Sequence, residues 1–397
     1  MAYTVQDVLD YVREEDVKFI RLAFCDAHGK LKNLSIMPAE LERAFTRGVA
    51  FDASAIRGFE SVEKSDMFLF PDPDTLTVLP WRPSRGRVVR LFCDIRKADG
   101  TPYELDCRNL LKNAVSFAAE NGVKARFGTE FEFYLFKTDE NGEATEEPAD
   151  EAGYMDVAPA DKGENVRREI CLTIEEMGLS PEASHHEEGP GQNEIDFKYA
   201  EALKAADHAV VFKNATETIA YKNGFYASFS PKPLAGKSGN GLHINISLLN
   251  ADDNKFGSFM AGVLNRIEEI TCFLNPTEES YARLGEYKAP KAVCWARENR
   301  SALIRIPAEN GEGKRMELRS PDPSANIYLA FALLLYAGTE GVVAGEQPQE
   351  EYEGNAFDNS AKVKTLPENL YLAVEAAKNG KFVKKYISEK IFRSFTR

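Results

Sequence analysis

Four short stretches of this chain alternate polar and apolar residues with period two, and each gathers its charges on one side. Successive side chains of a strand point to opposite faces, so the alternation decides which residues converge. Glu130-Phe131-Glu132-Phe133-Tyr134-Leu135-Phe136 predicts a strand with both carboxylates on one face, about 7 Å apart, and an apolar face behind them. Gln192-Asn193-Glu194-Ile195-Asp196-Phe197 turns Ile195 and Phe197 away from Glu194, and Glu187 lies just upstream in His185-His186-Glu187-Glu188-Gly189-Pro190-Gly191. Leu242-His243-Ile244-Asn245-Ile246-Ser247-Leu248 puts His243, Asn245 and Ser247 on one side of a strand otherwise made of Leu and Ile. Arg315-Met316-Glu317-Leu318-Arg319 presents arginine, glutamate and arginine together.

Any one of these stretches is explained by a half-buried strand with a solvated polar face. Their sum points further. If the polar faces share one cavity, it collects Glu130, Glu132, Glu187, Glu194 and Glu317 with His243, and carboxylates at such range cannot all stay ionised without compensation. Oxygen ligands with one imidazole suit Mg²⁺ or Mn²⁺, whereas zinc would draw cysteine or more histidine. With two such ions the nearby Arg300, Arg305, Arg315 and Arg319 make the site attractive to phosphate and carboxylate anions, the signature of phosphoryl transfer. Two familiar nucleotide motifs are excluded. Gly236-Lys237-Ser238 would need a glycine at 231 to close a phosphate loop, and that position is Pro231; no GxGxxG follows a strand and opens a helix.

Composition narrows the partners. The 49 basic and 63 acidic side chains leave a formal charge of −14, with no excess of cations to neutralise nucleic acid or an anionic membrane. The cysteines (Cys25, Cys93, Cys107, Cys171, Cys272, Cys294) form no CxxC pair and read as buried, reduced thiols. The opening MAYTVQDVLDYVREEDVKF has neither the basic nor the apolar region of a leader, so a cytoplasmic protein is expected.

Val5, Val8, Leu9 and Val12 lie at helical spacing, and VKFIRLAFCD and LKNLSIMP read as strands about the turn Ala27-His28-Gly29-Lys30. Helices are expected over 106–122, 164–177, 200–223, 257–274 and 324–344. The acidic stretch 139–153 reads as an exposed loop, 345–362 as polar, and a domain boundary is expected near residue 100, dividing 1–100 from 101–397. His185, His186 and His208 read as packing or surface residues, because a lone histidine is more often structural than ligating. Pro231 and Pro233 read as shaping a loop, and Lys232 as a surface charge.

The strings TEFEFYLF, HHEEGPGQNEIDFKYA, SPKPLAGKSGNGLHINISL, ENRSALIRIP and KRMELRSPDPSANIYLA, with FDASAIRGF and SDMFLFPDPDTLTVLPW before them, resemble the signature of the type I glutamine synthetases in order and spacing, from about residue 17 to 345. The resemblance implies an α+β chain: an N-terminal β-grasp domain, then a catalytic domain with a curved antiparallel sheet and flanking helices. It implies ATP-dependent ligation of ammonia to the γ-carboxylate of glutamate through a γ-glutamyl phosphate. Assembly into a homo-oligomer is also implied, a dodecamer of two hexameric rings with active sites between subunits.

The same resemblance assigns residues. One metal would be held by Glu132, Glu187 and Glu194, and the other by Glu130, His243 and Glu317. Gly239, Arg283, Arg300 and Arg319 match the glutamate site, with Arg300, Arg305 and Arg315 clamping the phosphoryl group. Glu182, Asn245, Ser247, Arg305 and Arg315 match the nucleotide site, and Asp52 of an adjacent subunit would deprotonate ammonium. Three positions depart from the family pattern. Ser238 replaces an asparagine before the His243 strand. The tyrosine that some members adenylylate corresponds to Phe357. The flap reads Glu286-Tyr287-Lys288-Ala289-Pro290, with Lys288 where the family carries a catalytic glutamate. Lys288 admits an organic amine as the acceptor in place of ammonia; the expectation is that Lys288 points away and Glu286 takes the flap role. A catalytically silent nitrogen-sensing homologue would be expected to lack metal ligands, and all of them are present.

Overall fold

Thr4 opens the first helix, α1 (Val5–Glu14), with a capping box: its hydroxyl accepts from Asp7 N, and the Asp7 carboxylate accepts from Thr4 N. Val8 and Val12, one helical turn apart, are its buried face. The computed structural model describes residues 3–82, 85–308, 314–358 and 363–396. Strands β1 (Phe19–Cys25) and β2 (Leu31–Ile36) form the expected hairpin, with Gly29 at φ +80° in its turn. After α2 (Leu41–Arg47) come β3 (Val49–Asp52), β4 (Asp66–Pro71), β5 (Thr77–Val78) and β6 (Val88–Lys97). They complete a sheet of order β2-β1-β6-β4-β3, in which β6 runs parallel to β1 and also pairs with β5. This is the β-grasp domain.

The second part of the chain opens with α3 (Cys107–Glu120), started by the buried Asp106 carboxylate, which accepts from Arg108 N and Asn109 N. Its large sheet comprises β7 (Ala125–Thr138), β8 (Ala144–Pro148), β9 (Pro181–His186), β10 (Gln192–Glu201), β11 (Phe225–Ser228), β12 (Leu242–Leu248), β13 (Trp295–Arg297), β14 (Ile304–Ile306) and β15 (Arg315–Leu318). The main path is β13-β14-β15-β12-β7-β10-β9, antiparallel throughout except at the edge pair β13–β14. Around it lie α4 (Glu164–Glu176), α5 (Ala202–Lys222), α6 (Asp253–Leu274), α7 (Glu278–Arg283), α8 (Ile327–Ala344), α9 (Leu370–Asn379), α10 (Phe382–Tyr386) and α11 (Glu389–Thr396).

One face of the large sheet is apolar: Phe131, Phe133, Ile195, Phe197, Ile244 and Leu318 are buried, with Phe131 5.2 Å from Phe212 of α5 and Phe127 4.3 Å from Phe331 of α8, centroid to centroid. Helix α8 is apolar on every side because it lies within the core, against α3, α5 and α6. Its crossing with α6 depends on glycines. A Cβ on Gly341 would stand 2.2 Å from Ser258 O, and one on Gly262 2.3 Å from Ala337 O.

Arg108 ties α3 and α5 to the first sheet. Its buried guanidinium donates to Asp207 of α5 (2.9 Å), to Asp94 of β6 (3.1 Å) and to Asp72 beyond β4 (2.9 Å). Asn326, which caps α8, also donates to Ala27 O of the first hairpin turn at 2.9 Å.

Three readings need correction. The acidic stretch 139–153 is not all exposed loop: β8 pairs with β7, and Ala149, Asp150 and Ala152 are buried. Helix α6 starts at Asp253, where the Asp252 side chain caps it by accepting from Lys255 N. The helices beyond residue 369 carried no expectation. Of the cysteines, all unpaired, Cys25 and Cys171 are only half-buried. Within 345–362, residues 359–362 lie outside the described residues.

Candidate active site

Register across the large sheet turns the separate polar faces into one surface. Glu194 of β10 lies opposite Glu132 of β7, and Asp196 opposite Glu130. On the other side of β7, His243 lies opposite Glu130; Asn245 is opposite Glu317, and Glu317 is opposite Arg305. His185 of β9 faces Glu194. Like charges directly across strands are destabilising, so the fold sets carboxylate against carboxylate at its centre at a cost.

The resulting cavity, of about 450 Å³, is lined by Glu130, Glu132, Glu187, Glu194, His243, Gly239, Arg283, Arg300, Arg305, Arg315 and Arg319, and at its rim by Glu286 and Lys288. Glu317 is fully buried behind it. Two glycines leave the room: a Cβ on Gly241 would meet Arg283 Nη2 at 2.9 Å and His243 Nε2 at 3.0 Å, and one on Gly239 would meet Pro231 O at 2.4 Å.

The cluster has two halves. In the first, His243 Nδ1 lies 2.9 Å from Glu130, Asn245 Nδ2 donates to Glu130 at 2.8 Å, and Glu317 accepts from Arg305 at 2.6 Å and from Arg319. Burial would raise the Glu130 pKa, but the His243 bond and charge, Asn245 and the Arg319 charge outweigh it and bring it down to about 2. Glu130, His243 and Glu317 offer ligand atoms within 4.8 Å of one another.

In the second half donors are scarce. Glu132 accepts from Gly241 N (2.7 Å) and Gln192 Nε2 (3.1 Å), and Glu194 has His185 Nε2 at 3.2 Å. Burial first, then the Glu132 charge, pushes Glu187 up to about 7; burial and the neighbouring carboxylates push Glu194 well above its ordinary value and Asp196 to about 9. Asp196 Oδ1 is buried without a hydrogen-bond partner. The close ligand groups here are Glu132–Glu194–His243, His185–Glu187–Glu194 and Glu130–Glu194–Asp196, all sharing Glu194. A cavity built of repelling carboxylates with one or two imidazoles fits hard divalent cations.

Arg283 is buried and fixed by donating to Ser320 O at 2.8 Å and Arg319 O at 3.3 Å. Glu182, Asn245 and Arg315 line a smaller cavity of about 170 Å³ that shares Glu130, Asp196 and Arg315 with the large one. Two residues of the sequence reading stand apart: Ser247 lines neither cavity, and Asp52, exposed at the end of β3 with Ser54 bound to its carboxylate, is not in the cavity of its own chain.

At the flap, Lys288 pairs with Glu188 and lies 5.4 Å from the Tyr154 ring, while its carbonyl accepts from Arg319 Nη2 at 3.3 Å. Glu286 approaches Lys232 Nζ at 3.6 Å. Lys232, read as a surface charge, is instead covered by the flap, 4.8 Å over the Tyr287 ring. His185, read as a packing residue, belongs to the site, whereas His186 is buried against Asp150 (2.9 Å) as expected. The signal for His185 was its spacing of two from Glu187, which puts both on one strand face.

The family model described as "Glutamine synthetase, beta-Grasp domain" matches residues 16–98, and "Glutamine synthetase, catalytic domain" matches 104–397, so the family likeness reaches the C-terminal tail. A glutamine synthetase of Clostridium saccharobutylicum is 45% identical over 99% of this chain and 93% of the relative. One of Methanosarcina mazei is 44% identical over 99% and 92%. A solved complex of GmaS with ADP superposes with a TM-score of 0.89 at 28% identity, covering 98% of this chain and 95% of that one. The Plasmodium falciparum glutamine synthetase, at 22% identity and a TM-score of 0.87, shares the fold. With both family domains matched in order and such relatives alike over nearly their whole length, the chain belongs to the glutamine synthetase family.

Proposed function

We infer that the chain is a glutamate–ammonia ligase that uses ATP to activate the γ-carboxylate of glutamate. The observation that carries this reading is the Glu130–His243–Glu317 cluster beside a second group of carboxylates under a rim of arginines. Arg283 and Arg319, held rigidly from behind, receive the substrate's α-carboxylate end, and Gly239 admits the ligand against its backbone. The γ-carboxylate oxygen attacks the terminal phosphorus of ATP, ADP leaves, and the acyl phosphate gains a leaving group that a free carboxylate lacks. Arg300, Arg305 and Arg315 line the side on which that phosphoryl charge develops. Two divalent cations, Mg²⁺ or Mn²⁺, held by Glu132, Glu187 and Glu194 and by Glu130, His243 and Glu317, would supply charge stabilisation of the phosphoryl oxygens. The smaller cavity at Glu182, Asn245 and Arg315 suits the nucleotide.

Ammonium must lose a proton before it attacks. Asp52 is the residue assigned to that step, and its exposure at the end of β3, away from its own cavity, supports delivery to a neighbouring subunit of a homo-oligomer, a dodecamer of two rings. The two separate sheets support a domain division near residue 100, and the unpaired cysteines support a cytoplasmic location. Phosphate release from ATP with glutamate, comparing ammonium, hydroxylamine and a panel of amines, tests the reading. Ammonium is expected to be the preferred acceptor; turnover with an organic amine alone would replace it.

A further inference from the structure

A second cavity, of about 380 Å³, opens between β1–β2 of the β-grasp domain and α5 of the catalytic domain; Phe131 and Leu242 line it, so it lies on the face of β7 and β12 opposite the carboxylates. Its charged lining is Arg21, Lys30, Arg90, Lys213 and a single carboxylate, Glu217. Arg90 and Arg21 are register partners on the parallel strands β6 and β1, so their side chains leave the same face. Arg90 is 2% exposed, yet its Nε, Nη1 and Nη2 are all buried without a hydrogen-bond partner. Its guanidinium carbon lies 4.9 Å from the centroid of the Phe92 ring. Of the groups whose fields favour its charge, Tyr328, Asp207 and Cys25, Asp207 is the carboxylate, and it is already bound by both Arg108 and the Tyr328 hydroxyl. Burial draws Arg90 down only to about 10, so the guanidinium is charged at neutral pH. Lys213 donates to Pro323 O at 2.6 Å, and burial raises the Glu217 carboxyl above its ordinary value against the opposing charges of Lys213 and Lys30.

A buried, charged fork of donors beside a like charge on the next strand is costly unless an anion satisfies it. We propose that this cavity is a binding site for a small doubly charged oxyanion, phosphate or a phosphomonoester, held between Arg90 and Arg21. A tetrahedral oxyanion can accept from two guanidinium forks at once. The apolar wall of Ala209, Val210 and Leu31 leaves room for a small organic group on a monoester. Both domains line the cavity, so occupancy ties the β-grasp sheet to α5 and the site acts as a ligand-dependent brace.

The test is thermal unfolding of the full chain in rising inorganic phosphate, with sulfate, glycerol phosphate and acetate as comparison arms. Wild type is expected to gain on the order of 1–3 °C at phosphate several-fold above its dissociation constant. Arg90→Met and Arg21→Gln should lose that gain, while Arg300→Gln, altered in the active site, should keep it. Without phosphate, Arg90→Met should melt no lower than wild type, because it removes an unpaired buried charge. A crystal soaked in selenate should show anomalous density at Arg90. A phosphate gain that survives Arg90→Met and vanishes in Arg300→Gln would place the anion in the active site alone and overturn the proposal. So would the absence of any gain together with a lower melting point of phosphate-free Arg90→Met, which would make Arg90 a packing residue on Phe92.

Discussion

Neutralising Glu188 should weaken ammonium binding through its partner on the flap. Lys288 stands where the resemblance implies a carboxylate, and in isolation its cation would repel NH₄⁺: at 4 Å the repulsion is about 4 kcal/mol at an effective dielectric of 20 and about 1 kcal/mol in water. In the structure Lys288 is paired with Glu188, and the two side chains are 55% and 33% exposed. At that exposure the pair contributes only about 0.2–1 kcal/mol to stability, so Glu188→Gln should leave the melting temperature nearly unchanged. It does leave the Lys288 charge uncompensated. Screening at the rim favours the lower end of the range, so the KM for ammonium should rise about 5- to 30-fold, with the KM for glutamate and the metal requirement unaltered.

Two controls separate charge from shape. Adding Lys288→Gln to Glu188→Gln should return the ammonium KM to within about twofold of wild type, and 1 M salt should shrink the single-variant defect, because the Debye length falls from about 10 Å at 0.1 M to about 3 Å. Steady-state phosphate release against ammonium concentration reads all of these. An unchanged ammonium KM in Glu188→Gln, or a defect that persists in the double variant, would refute the electrostatic account and make Lys288 a residue that receives a different amine.

Glu194→Ala and Glu132→Ala should each abolish nearly all turnover at ordinary magnesium, with weakened metal binding by titration calorimetry, because each removes a charged oxygen from the centre of the cavity. In metal-free protein Glu187 is raised to about 7 against an ordinary 4.5, so between those values the folded state holds more protons than the unfolded one. Stability should therefore fall as pH rises from 5 to 8, by on the order of 3 kcal/mol for that group, and magnesium should flatten the dependence and release protons on binding; urea titrations with and without metal check the sign. Gly341→Ala forces a Cβ to 2.2 Å from Ser258 O, so unfolding free energy should drop by about 1–3 kcal/mol or more with little effect on KM.

The strand faces were legible because period two is local: Glu130 and Glu132, or His243 and Asn245, declare a shared face without reference to the rest of the chain. Which faces meet is a matter of register between strands about 60 and 110 residues apart, and Glu194 opposite Glu132 is fixed only by the folded pairing. Asp196 was within a recognised string, but its burial against Glu130 follows from that same register. Asp150 read as loop because its stretch is acidic, whereas its carboxylate accepts from Ala152 N nearby and from Lys162 N and Gly191 N further along, and meets His186, which is also far away in sequence. The Arg21–Arg90 pair had no sequence signal, since the two lie 69 positions apart on strands joined in parallel.

The division of the carboxylates into a donor-rich and a donor-poor half gives the two proposed metal positions different characters. Glu130 and Glu317 are satisfied before any cation arrives, by His243 and Asn245 on one and by Arg305 and Arg319 on the other. Their geometry is fixed, and a cation entering there competes with charges already in place. Glu132 and Glu187 both crowd Glu194 with few donors, so a cation entering among them relieves repulsion that the fold itself creates. The donor-poor position should therefore bind its cation more tightly, with the stronger pH dependence, and the donor-rich one should fill when the nucleotide brings its own negative charge. An order of this kind suits the chemistry: the carboxylate that must attack is oriented by a resident ion, and the charge that must be clamped arrives with ATP.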